Sequence, residues 1–245
     1  MAYLKVIESN QTWTCPKTGL YKIICVSGGS TGKAVINLPT ISDSFKSASG
    51  SELIYSNLIY DANTCVKNDN IITIENDGTY TQFGDYLTSS GYEFEYGGND
   101  NIIGDLSDNS IGCIYGKNGF KLNRTLDIHS YWSTGSGYGA SGGIEYGVSV
   151  TGNNTIGGLK SGLYKDITRL QSGCAGKISI AIEKLSLNEK VNCVVGIGSK
   201  AFNTSISIKQ QFRDGSSDSN IYVLNCNLNM NFSKGNNGVI IIQEV

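Results

Sequence analysis

Gly137-Tyr-Gly139-Ala-Ser-Gly142 has the G-x-G-x-x-G spacing of a dinucleotide-binding loop. That chemistry needs a buried strand before the glycines and a helix N-terminus facing the pyrophosphate after them. The chain instead continues Gly143-Ile-Glu-Tyr-Gly-Val-Ser-Val, a strand-like run. The overlapping Gly139-Ala-Ser141-Gly-Gly143 fits a nucleophile elbow, which requires a strand–turn–helix and a histidine base. The one histidine, His129, stands outside any βα pattern. Gly28-Gly-Ser-Thr-Gly32-Lys33 ends like a phosphate loop, but Ser27 stands where its first glycine belongs and Ala34 follows the lysine. Without the hydroxyl and the helix, that loop has nothing to hold a nucleotide's metal and phosphates.

Acids and thiols give no better site. Asp85, Glu93, Glu95, Asp100, Asp105 and Asp108 form an acidic stretch with no intervening base. Paired carboxylates serve glycosidases, and clustered oxygens hold calcium. The D-x-D-x-D-G spacing is absent, however, and acids among Gly and Asn are ordinarily solvated. Seven widely spaced cysteines without a C-x-x-C suit neither a zinc site nor a disulfide framework. Cys25, Cys193 and Cys226 sit in apolar runs and are expected to be buried, reduced, small hydrophobes. The expectation is a protein with no catalytic residue, no metal and no cofactor, which is not an enzyme.

Aromatic residues are the better functional lead. Tyr92, Tyr96, Tyr115, Tyr131, Trp132, Tyr138 and Tyr146 lie in a stretch rich in glycine, serine and asparagine. Rings with a polar tip in such a setting suit contact surfaces and sugar faces. The alternative is that several pack over glycines as core.

The elements positioning these residues are strands. Leu224-Asn-Cys-Asn-Leu-Asn-Met-Asn-Phe232 alternates apolar residues with asparagine, setting a row of amides opposite an apolar face. Ile178–Glu183 alternates likewise. Leu20–Val26, Val191–Ile197 and Val239–Ile242 are more continuously apolar, as strands covered on both faces would be. Lys165–Gln171 and Leu185–Lys190 have room for a turn or two of helix, and the second also reads as a link between strands. The fold expected is all-β: a β-sandwich or jelly-roll-like core built from both chain ends (1–39 and 172–245), with residues 40–171 as a large glycine- and tyrosine-rich insertion. Residues 84–162 hold more than half of the 31 glycines.

Charge narrows the partners. A net charge of −2 with 16% charged residues offers no basic field for nucleic acid. No apolar run reaches the length of a membrane span. The start, Met1-Ala-Tyr-Leu-Lys-Val, lacks the pattern of a signal peptide, so synthesis in a cytoplasm is expected.

Trp13-Thr-Cys-Pro16-Lys-Thr-Gly19-Leu-Tyr21-Lys22-Ile-Ile-Cys-Val26-Ser-Gly28-Gly29 resembles a recurring opening of glycine-rich bacteriophage tail and fibre proteins. Leu187-Asn-Glu-Lys-Val191-Asn-Cys-Val-Val195-Gly196-Ile-Gly198 and Gly235-Asn-Asn-Gly238-Val-Ile-Ile-Ile242 resemble later strands of the same family. The resemblance covers the first 32 or so residues and about the last 75, and the middle matches no known pattern. It implies a virion component on a tail, baseplate or fibre, present in several copies. Its partners would be other virion proteins and a host-surface glycan or protein. A capsid decoration or head-fibre protein is the nearest alternative. A polysaccharide-degrading tail enzyme or a free lectin is the alternative of another class.

Overall fold

The computed structural model describes residues 3–37, 44–46, 52–62, 66–68, 71–92, 101–102, 110–120, 136–153, 168–214 and 217–245. Among them there is no helix, and every strand pairing is antiparallel, so the protein is all-β.

Two four-stranded sheets face each other. The first orders β1 (Leu4–Ile7), β19 (Val239–Glu244), β3 (Gly19–Val26) and β15 (Ile178–Leu185). The second orders β10 (Leu87–Ser89), β9 (Thr81–Phe83), β16 (Lys190–Val194) and β2 (Gln11–Thr14). Between them Ile7, Tyr21, Ile23, Cys25, Ile240 and Ile242 meet Trp13, Phe83, Val191 and Cys193 in one apolar cluster. The alternate residues Ile24, Val26, Val239 and Ile241 point to the other side of the first sheet, where Phe120 covers them. Burial on both faces is why β3 and β19 lack a polar alternation. Cys25 and Cys193 are fully buried free thiols. Burial pushes them up to about 12 and about 11, so they stay protonated and act as small apolar side chains. The side chain of Cys226 lies outside the described residues.

Two further sheets take up the rest. The third orders β11 (Asn101–Ile102), β14 (Thr168–Gln171), β4 (Lys33–Asn37), β8 (Ile71–Ile74) and β7 (Val66–Asn68). The fourth orders β12 (Ser110–Ile114), β13 (Ile144–Asn153), β18 (Ser217–Phe232), β17 (Phe202–Asp214), β6 (Glu52–Ala62) and β5 (Ser44–Lys46). The chain ends supply most of the sandwich, and β9 and β10 come from within 40–171. β17 and β18, from the C-terminal part, pair with β6 and β13 from the middle. The middle is thus woven into sheets with both ends.

Thr168–Gln171, where the sequence left room for a turn of helix, form β14 against Lys33–Ile36. Sheet pairing wins there because no apolar stripe of helical period favours the alternative. Residues 186–189 turn β15 into β16, with Asn188 at φ 64°, a left-handed conformation that asparagine tolerates.

A bundle of glycine-rich segments carries the chain between these two pairs of sheets. Segments 27–32, 76–79, 172–176, 195–199 and 233–238 each run between a sandwich strand and a strand of the third or fourth sheet. Segments 116–119 and 137–143 pack among them. Their backbone hydrogen bonds follow a three-residue period. Ser27 and Ser30 donate to Lys177 and Cys174, Gly28 and Thr31 donate to Thr79 and Asn76, and Gly29 donates to Asn236. Gly173 and Gly176 donate in turn to Gly142 and Gly139, and Gly235 and Gly238 to Ser199 and Gly196. Bonds that go to neighbouring chains with three residues per turn are those of packed polyproline-II-type helices, which make no internal hydrogen bonds. Close packing of such helices leaves no room for side chains at the contacts. A Cβ on Gly29 would lie 2.1 Å from the Ala140 carbonyl oxygen, and one on Gly142 would lie 1.9 Å from that of Ser233.

Hydroxyls satisfy what the glycines leave over. Thr81 Oγ1, fully buried, donates to Val26 O at 2.6 Å and accepts from Gly196 N at 2.8 Å. Ser30 Oγ accepts from Cys174 N at 2.7 Å.

Candidate contact surface

The motifs that imitate catalytic loops belong to this bundle. Ser141 is buried, and its Oγ accepts the Lys117 N–H at 2.6 Å. The chain beyond it enters β13, so the elbow and dinucleotide motifs lack their helix. Gly28–Lys33 leads into β4, and Lys33 Nζ lies 3.3 Å from Glu75 Oε1. Among the described residues no three His, Cys, Asp or Glu side chains gather as metal ligands. Asp85 is exposed in the turn between β9 and β10. The other acids of that stretch, and His129, lie outside the described residues.

The aromatic candidates separate by environment. Tyr92 bridges to Gly176, and its hydroxyl donates to Asp77 Oδ1 at 2.5 Å. Burial, with that carboxylate, pushes its pKa far above the tyrosine range. Tyr138 bridges to Phe120 and donates to Glu8 Oε1 at 2.5 Å. The Glu8 hydrogen bond first, and burial second, hold it at about 12. Tyr146 pairs with Gly112, where a Cβ would fall 2.3 Å from its hydroxyl oxygen. These three tyrosines are tied into the fold. Tyr115 differs: it stands just past β12 and is 68% exposed. Tyr96, Tyr131 and Trp132 lie outside the described residues.

Beside Tyr115 runs the outward face of the fourth sheet. Leu228, Met230 and Phe232 are buried beneath it with Ile144, and the Phe202 and Phe232 rings stack at 4.4 Å. The intervening residues face out in rows set by strand register. One row holds Cys113, Glu145, Asn231 and Asn203, and the next holds Gly147, Asn229 and Ser205. A third begins with Ser149 and Asn227. Asn203, Asn229, Asn231 and Glu145 are exposed. A Cβ on Gly147 would meet nothing within 4 Å, so the row is open at that point. The asparagine row was legible in the β18 alternation. Its neighbours on β13 and β17 come from segments far apart in sequence and were not.

A second surface is apolar. β15 is the edge of the first sheet, and its isoleucines face away from the sandwich, with Ile180 44% and Ile182 58% exposed. The alternation in this strand marks an apolar face correctly, and that face looks outward because register pairs Ile178 and Ile180 with Val26 and Ile24, which lie on the side of the sheet away from the sandwich. Leu20 and Val245 are exposed on the neighbouring strand ends, and Leu4 on β1 at the opposite edge of the sheet.

The raised acid groups make stability sensitive to alkali. Tyr21, raised to about 12 mainly by burial, Tyr138 at about 12 and Cys25 at about 12 all keep their protons longer folded than unfolded. The unfolded chain releases those protons from the ordinary values of 9.0 for cysteine and 10.0 for tyrosine. A raised folded pKa means that stability is intact below the unfolded value and is lost as pH climbs to the folded one. The urea midpoint should therefore fall progressively between pH 9 and pH 12, followed by tyrosinate absorbance and circular dichroism. A midpoint flat across that window would contradict the buried setting of these groups.

Compared with protein-family models, curated proteins and solved structures, the chain matches none.

Proposed function

We propose that this chain is a structural protein of a bacteriophage or phage-tail-like particle, on the tail, baseplate or fibre, that attaches to the particle and contacts a host surface or a neighbouring virion protein. One observation carries the reading. The three segments that resemble the tail and fibre family, the first separated from the other two by most of the chain, converge on a single bundle: Gly28 and Gly29, Gly196 and Gly198, Gly235 and Gly238 pack backbone against backbone. A family likeness in distant segments gains weight when those segments form one structural unit. Leu20, Ile180 and Ile182, exposed on the outer face of the first sheet with Lys22 and Lys184 paired among them, are the apolar residues that would serve attachment. The same reading has the protein act by binding, with no bond made or broken.

Two measurements test it. Antibody raised to the protein should label purified particles from the producing cell, and absence from every particle fraction would defeat the virion assignment. Incubation with host wall or capsule material should release no reducing sugar, and measurable release would defeat the non-catalytic one.

A further inference from the structure

We infer that the outward face of the fourth sheet, around Gly147 and Tyr115, is a binding site for a neutral, hydroxyl-rich glycan. This gives a ligand class to the host-facing contact proposed above and rests on that reading for its setting.

The composition of the face is the first reason. A merely solvated sheet face ordinarily carries interspersed charges and good strand formers. Here the described residues of the two rows nearest Tyr115 contain one charge, Glu145, while Asn203, Asn229 and Asn231 occupy strand positions where asparagine is disfavoured. Each amide offers a carbonyl acceptor and two N–H donors in one plane, and Ser205 adds a hydroxyl. Donors and acceptors in near balance, with a single carboxylate as an added acceptor, complement vicinal sugar hydroxyls, which both donate and accept. A phosphate or sulfate ligand would meet Glu145 and no cation among the described residues of these rows.

The shape is the second reason. Gly147 interrupts the face between Glu145 and Ser149 on β13, beside Asn229 on β18, and an added Cβ there meets only open space. A sugar ring needs such a gap to bring its hydroxyls within hydrogen-bond reach of flanking amides. Tyr115 lies one pleat beyond the Cys113–Glu145 pair and is the described candidate aromatic left exposed. An exposed ring with a polar tip is suited to lie against the apolar C–H face of a pyranose while its hydroxyl stays wet.

The test uses the full chain on immobilised dextran, laminarin, mannan, galactan and chitohexaose, with polygalacturonate and heparin as charged controls. The wild type should be retained by at least one neutral glycan. Gly147→Glu, whose Cβ has no atom within 4 Å and whose carboxylate adds charge to the gap, and Tyr115→Ala should each weaken retention at least about ten-fold with unchanged thermal midpoints. No retention on any neutral glycan, retention on the charged controls alone, or retention unmoved by both variants would overturn the inference. So would concentration-dependent self-association that Gly147→Glu abolishes in a protein that binds no glycan, because the face would then join copies of the chain. A protein found in particles but silent on the neutral glycans defeats this inference alone. Glycan retention by a protein absent from particles defeats only the virion reading.

Discussion

Gly142→Ala is expected to destabilise the protein by about 3 kcal/mol or more, at or above the upper end of ordinary overpacking. The new methyl carbon would lie 1.9 Å from Ser233 O and 2.7 Å from its carbonyl carbon, both backbone atoms that no side-chain rotation can move aside. The segment has nowhere to retreat. Gly142 N donates to Ser30 O at 2.8 Å, Gly142 O accepts from Gly173 N at 3.1 Å, and neighbouring Ser141 N donates to Lys117 O at 3.0 Å. Relief of the clash would lengthen several buried backbone hydrogen bonds at once, each worth about 1 kcal/mol net and more when a group is left unpaired. Against this stands the entropy that alanine removes from the unfolded chain, about 0.4–1 kcal/mol in favour of the variant. The steric term wins. Gly147→Ala is the internal control: the same chemical change with open space around it should be neutral or mildly stabilising. Urea denaturation of the two variants side by side tests the claim, and equal midpoints would show that the bundle is not close-packed at Gly142.

This bundle also marks where the sequence could and could not be read. The strands were legible because period-two alternation and continuous apolar runs follow directly from one or two covered faces, as in β18 and β19. The all-β class follows from the same signal. The bundle was not legible through any long repeat, yet its trace is present. Gly29 and Gly32, Gly116 and Gly119, Gly139 and Gly142, Gly173 and Gly176, and Gly235 and Gly238 are each three residues apart. Glycines at that spacing face one neighbour in a three-residue-per-turn helix, as in collagen and as Gly235 and Gly238 do against segment 26–29, whereas Gly139, at φ 66°, and Gly142 meet different segments; the packing partners are scattered along the chain. That scatter hides the period from a search for tandem repeats. It also explains why motifs of phosphate loops and nucleophile elbows arise: G-x-x-G and G-x-G are what close backbone packing requires, with or without a ligand.

The candidate surface was half legible for a related reason. The amides of β18 could be assigned to one face from their own strand, whereas Glu145, Gly147, Asn203 and Ser205 join them only through pairing with β13 and β17. The aromatics were visible as a group, but composition does not distinguish a ring that packs from one that projects. Tyr92 and Tyr138 found carboxylate partners in Asp77 and Glu8, while Tyr115 did not. Exposure is a property of the assembled sheet.

Trp13→Ala should cost about 3–5 kcal/mol, the range for emptying a large aromatic site in a core. Trp13 supplies the second sheet's largest side chain to the sandwich. Its ring meets Tyr21 edge-on at 5.8 Å and Phe83 at 5.7 Å, and its Nε1 donates to Tyr3 Oη at 2.9 Å. Tyr21 and Phe83 belong to different strands and cannot collapse together into the space: Tyr21 is fixed by its hydroxyl bond to Lys17 O at 2.8 Å, and Phe83 by the pairing of β9 with β10 and β16. A cavity therefore remains, and the cavity term adds to the lost transfer energy. Trp13→Phe keeps most of the apolar volume, loses the Tyr3 hydrogen bond and should cost markedly less. Since small domains hold only about 5–15 kcal/mol in total, the alanine variant spends a large part of the protein's stability while leaving the fourth sheet's surface chemically unchanged. Whatever fraction stays folded should retain its glycan contact. An unfolding free energy within about 0.5 kcal/mol of wild type, an effect typical of a surface substitution, would show that Trp13 is not a keystone of the sandwich.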